Sequence, residues 1–127
     1  MIDTSGKEVK EVITEIFREI VGQGGRCRDK KGDFCSYGNN IGHHCAIGWL
    51  LPPDRKDLMN FIGCIGNLTV KFKDLGPNDA FIRENECLLK IVQIIHDDPC
   101  FCQAETDALK DVVGDIPEIN QWIGMFK

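Results

Sequence analysis

The sequence lacks three features that would place it in large classes of proteins. None of its apolar runs approaches the roughly 20 residues that a membrane-spanning helix needs. Its first eight residues lack the basic start and the apolar block of a signal peptide. Positive charge is not in excess, since 15 Lys and Arg stand against 20 Asp and Glu, whereas a general nucleic-acid binder needs a basic surface. We therefore expect a cytoplasmic protein with neither a membrane nor general nucleic acid as its partner.

The length and composition predict one ordinary globular domain. The chain has 127 residues, of which 43% are hydrophobic and 28% charged, and domains commonly hold about 100 to 150 residues. Neither internal repeats nor low-complexity segments divide it. We expect residues 1–127 to form a single, mainly α-helical domain with a short β-hairpin or strand and a long glycine-rich loop.

The helices are predicted from apolar residues at helical spacing. An amphipathic helix is expected over about residues 5–21, where Ser5 and Glu8 have the spacing of a capping box. A long central helix is expected over about residues 79–96, because its apolar positions cover a broad face. Two further helices are expected, one over about residues 104–113 and one that begins near Pro117.

The β-structure and the loop are predicted from a different pattern. Six glycines and a charge run mark residues 22–44 as a loop. Within it, a turn at Gly32 would form a hairpin and place Cys27 directly opposite Cys35, with side chains about 5 Å apart. Alternation of apolar and polar residues over 68–72 indicates a short strand or extended segment.

Cysteine is the unusual component, with seven in the chain. Cytoplasmic thiols are normally reduced, so we expect free thiols, metal ligands or a nucleophile. Zinc takes four ligands, and Cys27, Cys35, Cys45 and either His43 or His44 could supply them. The gaps of seven and nine residues between these cysteines are not typical of zinc sites, and the alternative is a loop whose thiols are buried or idle. Apart from zinc, no cofactor is predicted.

A second hypothesis concerns nucleophilic catalysis. Cys45 is predicted at the start of a short helix, where the helix dipole lowers a thiol pKa. His96 and Asp97 end the central helix, so Cys45, His96 and Asp97 have the residue types of a Cys–His–Asp arrangement. The alternatives are that Cys45 is a small core residue and that His96 simply ends a helix.

Several motifs together resemble a known family. They are Cys35-Ser36-Tyr37, then Cys45-Ala46-Ile47-Gly48, then the sequence LLKIVQIIHD at residues 88–97. In this order they are similar to a family of small proteins from bacteria and their phages, with a Cys-x-Tyr element, a Cys-Ala-hydrophobic-Gly element and a helix that ends in Ile-His-Asp. The resemblance implies a phage or mobile-element origin and a helical domain, but no particular reaction.

The favoured function is binding rather than catalysis. Small acidic phage-type domains commonly bind one host macromolecule, as inhibitors or adaptors that include counter-defence proteins, and an acidic surface suits a basic protein partner. We expect the protein to act in the host cytoplasm. The contact surface would be the loop at residues 22–44, with Arg26, Arg28 and Tyr37 as partner-binding residues. The alternatives are a hydrolase or transferase that uses Cys45, His96 and Asp97, and a zinc-stabilised interaction module.

Overall fold

The computed structural model describes residues 1–24, 37, 44–61 and 63–126, and in them the chain is mainly helical. Seven α-helices and one short 3₁₀ helix, Ile47–Leu50, make up the regular structure of these residues. The α-helices are α1 (Val9–Gly22), α2 (Lys56–Met59), α3 (Ile65–Lys71), α4 (Asp79–Glu84), α5 (Glu86–Asp97), α6 (Gln103–Val113) and α7 (Pro117–Gly124).

The first helix pairs with the last. The buried face of α1 consists of apolar residues at helical spacing, namely Val12, Ile13, Ile16, Phe17 and Ile20, and it packs mainly on α7. An ion pair of 3.0 Å between Arg18 and Glu118 joins the outer edges of the two helices. The helix begins four residues later than predicted, and its N-cap residue, Glu8, makes no capping hydrogen bond. The prediction of a capping box at Ser5 is therefore wrong.

The region predicted as one central helix, about residues 79–96, forms two helices, α4 and α5. Asn85 separates α4 from α5, because its backbone (φ −114°, ψ 22°) leaves the helical region. Its side-chain amide donates to the carbonyl oxygen of Phe81 at 2.9 Å, so it competes with the backbone ladder, as asparagine commonly does. The apolar periodicity continues across this break, which is why the sequence predicts a single helix.

The segment predicted as a strand is helical. Residues 68–71 belong to α3, where Leu68 is buried and Val70 is 86% exposed. Positions 68 and 72 are four apart, so they fall on one helical face as readily as on one face of a strand. No strand occurs among the residues that the structure describes. The predicted hairpin between Cys27 and Cys35 lies outside them.

Asn78 ties the N-terminal residues to the middle of the chain. Its buried amide donates to the carbonyl oxygens of Ile2 at 2.7 Å and Leu50 at 2.9 Å. Its carbonyl accepts hydrogen bonds from the hydroxyl and the backbone N–H of Thr4. All of the hydrogen-bonding groups of this amide are thereby used, which removes the free-energy cost of burying it.

The buried apolar side chains form one cluster to which every helix contributes. Trp122 and Phe17 are its largest fully buried members. Helix α5 packs against both α3 and α6. It therefore lies centrally, as predicted for this part of the chain. No helix in the described parts of the chain combines the length and apolar character needed to cross a membrane.

Candidate functional site

Tyr37 is an internal anchor and not a surface residue. Its side chain is 2% exposed, and its hydroxyl donates to the carbonyl oxygen of Gly63 at 2.8 Å. The amide of Gln93 on α5 donates to the same hydroxyl at 3.3 Å, and the ring stacks on Phe61. The ring predicted to bind a partner is thus enclosed by α5 and by the segment before α3.

Gly48 makes room for the Tyr37 backbone. A Cβ atom added at Gly48 would lie 1.9 Å from the carbonyl oxygen of Tyr37, so only glycine allows this approach. The same carbonyl lies 3.3 Å from Nδ1 of His44. Gln23 holds His44 from the other side, donating to its carbonyl oxygen at 2.6 Å and accepting from its N–H at 3.0 Å. Tyr37 of the Cys-x-Tyr motif and Gly48 of the Cys-Ala-hydrophobic-Gly motif are therefore in direct contact.

The hydroxyl of Tyr37 resists ionisation. Burial raises the pKa of Tyr37 to about 12, and the nearby charges of Cys64 and Asp97 add to this rise, while the hydrogen bond from Gln93 opposes it. A phenolate removed from water loses its hydration, which is the main physical cause. Tyr37 therefore stays neutral at physiological pH and acts as a hydrogen-bonding anchor.

The titration of Tyr37 can be measured directly, because it is the single tyrosine of the chain. Absorbance at 295 nm should give a midpoint near pH 12 in the folded protein and near pH 10 in guanidinium. The folded-state pKa is the higher one, so the stability that neutral Tyr37 contributes is complete below pH 10 and is lost between pH 10 and about 12. A folded-state midpoint near pH 10 would contradict this burial. In Tyr37→Phe the absorbance step should be absent.

His96 and Asp97 form the pair that the sequence predicts. Nδ1 of His96 lies 2.8 Å from Oδ1 of Asp97. The imidazole is fully buried and stacks on Trp122 at a ring distance of 5.3 Å, and Trp122 donates its indole N–H to the carbonyl oxygen of Ile95. Among the described residues, Nε2 of His96 has no hydrogen-bond partner. The ring therefore has a carboxylate on one side and the apolar core on the other.

Cys45 is buried and disulfide-bonded. This differs from the expectation of reduced thiols, and a disulfide sulfur is neither a thiolate nucleophile nor a zinc ligand. In the described parts of the chain, no three His, Cys, Asp or Glu side chains group closely enough to hold a metal ion. Cys27, Cys35, His43, Arg26 and Arg28 lie outside those parts. The zinc and the catalytic hypotheses both stay predictions, and both require Cys45 in its reduced form.

The other described cysteines have free thiols, which gives a test of the disulfide. Cys64, Cys87 and Cys100 are exposed, and Cys102 is buried. When the folded, unreduced protein is treated with iodoacetamide, we expect alkylation of the three exposed thiols within minutes and little alkylation of Cys102. The peptide that contains Cys45 should gain the label only after reduction. Labelling of Cys45 without a reductant, followed by mass spectrometry, would contradict the disulfide and return Cys45 to the list of candidate nucleophiles.

The most exposed large apolar side chain of the described residues is Phe101, at 88%. It lies in the turn before α6 and borders a surface cavity of about 530 Å³ that also touches Ile123 of α7. The segment that contains it, residues 97–118, has seven acidic residues and one basic residue. The rest of the chain has 13 acidic and 14 basic residues, so the negative charge of the protein is concentrated here.

Sequence reasoning gave Phe101 no role, because a Cys-Phe-Cys turn carries no pattern that predicts exposure. The acidic concentration could have been found by counting charges along the chain. No family model, curated protein or solved structure matches this chain.

Proposed function

We propose that this protein is a non-catalytic binding module that recognises a basic protein partner, as an inhibitor or adaptor of the phage or mobile-element type. The observation that carries the proposal is the concentration of acidic residues in the segment that contains the exposed ring of Phe101. Residues 97–118 have a formal charge of −6, and the remaining residues together have +1. Aromatic side chains are frequent binding hot spots, and a one-sided field steers a partner of opposite charge.

The internal parts of the site support binding rather than chemistry. Tyr37 and His96 are enclosed, with exposures of 2% and 0%, and Cys45 is disulfide-bonded. A substrate would have to reach these groups through the core, whereas a partner reaches Phe101 freely. We propose the host cytoplasm as the site of action, and a reducing environment there would act on the Cys45 disulfide. The side chain of Cys45 is 4% exposed, so burial limits access to its sulfur in either redox state.

We define the acidic surface as Asp107, Asp111 and Asp115, whose carboxylates lie where a partner can reach them. Asp107, Asp111 and Asp115 are all exposed. Within the described residues, the side chains of Asp111 and Asp115 form no ion pair. Their charge is therefore available to a basic partner. The free-energy cost of desolvating these carboxylates is small, because the rim of an interface stays hydrated.

The experiment is affinity capture from a bacterial lysate with two triple variants of equal charge. In one, Asp107, Asp111 and Asp115 become asparagine. In the matched control, three exposed acids elsewhere, Glu11, Asp54 and Glu84, become Gln, Asn and Gln. We expect the wild type and the control to retain a basic partner that elutes as salt is raised, because salt screens surface charges.

The first triple variant should retain at least tenfold less of that partner. Equal retention by both variants would overturn the proposal, because the binding would then not depend on this surface. Recovery of no partner above background would overturn it as well.

A further inference from the structure

The exposed side of α6 has an apolar stripe that we define as Phe101, Ala104, Ala108 and Val112. All four are exposed, Phe101 at 88% and Val112 at 65%. The spacing of four residues places Ala104, Ala108 and Val112 along one side of α6, and Phe101 lies in the turn before the helix. Leu109, which lies about 100° round the helix from Ala108, faces the core. The stripe is therefore additional to the face by which α6 is anchored.

Carboxylates flank this stripe on both sides. At 100° per residue, Glu105 lies on one side of the stripe, and Asp107 and Asp111 lie on the other. The single basic residue of the segment, Lys110, lies further round the helix. A ligand for this surface must therefore present an apolar strip with positive charge along both edges.

The shape of the surface fits a helix. Ala104 and Ala108 are small, so a second helix can approach α6 closely between the larger side chains of Phe101 and Val112. The cavity of about 530 Å³ beside Phe101, bordered by Ile123, is wide enough for a large apolar side chain. From Ala104 to Val112 the stripe extends about 12 Å along α6 at the rise of an α-helix, which corresponds to about two turns, and Phe101 lies in the turn before it.

We propose that the stripe docks a basic amphipathic helix of a protein partner, with apolar residues at i, i+3 or i+4, and i+7, and Lys or Arg on both sides. This inference rests on the proposed function and names the element that the basic partner presents. Helix-in-groove recognition uses this spacing of anchors. The flanking carboxylates fix the orientation and exclude acidic helices, since like charges brought together cost binding free energy.

The probe is a capped 18-residue peptide of leucine and lysine in which the leucines form one helical face. Its control has the same composition, with the leucines spread around the helix. Both are titrated into the ¹⁵N-labelled full chain. We expect the amphipathic peptide to bind with micromolar Kd and to shift amide signals of the turn at Phe101 and of α6, while the control binds at least tenfold more weakly.

Two variants test the residues themselves. Phe101→Ser with Val112→Ser should weaken peptide binding at least tenfold, whereas Val70→Ser, which alters an equally exposed residue of α3, should leave it unchanged. All of these side chains are exposed, so the melting temperature should stay within a few degrees of the wild type.

Several outcomes would overturn the inference. One is equal binding of the two peptides, which indicates charge attraction alone. Another is a set of shifts confined to helices other than α6. A third is sedimentation of the free chain as a dimer that Phe101→Ser dissociates, since a second copy would then be the occupant. If the peptide fails while the lysate partner still depends on the acidic surface, the docked helix is wrong and the binding function stands.

Discussion

Gly48→Ala should destabilise the protein by about 3 kcal/mol or more, at the upper end of overpacking effects. The added Cβ would meet two backbone atoms of Tyr37, the carbonyl oxygen at 1.9 Å and the carbonyl carbon at 2.8 Å. Backbone cannot rotate away as a side chain can, so the Tyr37 residue must shift as a whole. Its hydrogen bonds to Gly63 and Gln93 would then be weakened. Urea unfolding followed by far-UV circular dichroism measures the loss.

Gly22→Ala is the matched control for this substitution. Gly22 is the last residue of α1, and a Cβ there would have no atom within 4 Å. Alanine in place of a helical glycine should stabilise by about 0.5 to 1 kcal/mol. A second readout separates the close approach from a general loss of stability. In Gly48→Ala the 295 nm midpoint of Tyr37 should fall below pH 12 toward 10, and an unchanged midpoint with wild-type stability would contradict the packing described for Gly48.

Trp122→Ala should cost about 3 to 5 kcal/mol, as expected for a large aromatic residue removed from a core. Trp122 is fully buried, stacks on His96 and meets Phe126 edge to face at 4.8 Å. Its loss would leave a void on α7, and one side of the buried imidazole would lose its cover. The measurement is again urea unfolding by circular dichroism, since the substitution alters the fluorescence itself.

Trp122→Phe serves as the control because it keeps an aromatic ring next to His96. It removes the indole N–H that donates to the carbonyl oxygen of Ile95 at 3.2 Å. Beyond any loss of packing, the missing hydrogen bond should cost about 1 kcal/mol. If the alanine variant lost no more stability than the phenylalanine variant, the ring of Trp122 would not be a central packing element of the core.

The helices that could be predicted from the sequence are those with one clear apolar face and a clear end. Residues predicted as 104–113 are found in α6, and Pro117 begins α7 as expected for proline in a first turn. The mainly α-helical class is confirmed. The break at Asn85 could not be predicted in this way, because it depends on local competition between backbone and side-chain hydrogen bonds. The helical state of residues 68–71 could not be predicted either, because helices and strands share its apolar pattern.

The candidate site was predicted only where residues are neighbours in the chain. The contact between His96 and Asp97 follows from adjacency and residue type. The enclosure of Tyr37 depends on Gly63 and Gln93, which are 26 and 56 residues away, and no spacing rule connects them. The disulfide of Cys45 also escaped prediction, because it depends on which thiols the fold brings together and on the redox compartment that was assumed.

The pairing of α1 with α7 has a consequence for synthesis on the ribosome. About 100 residues lie between Arg18 and its partner Glu118, and ribosomes add roughly 5 to 20 residues per second. For about 5 to 20 s, then, the apolar face of α1 is outside or near the exit tunnel while the helix that covers it has not been made. Nascent chains stalled before residue 117 should therefore be captured by chaperones and digested by protease, and protection should appear only when α7 has emerged.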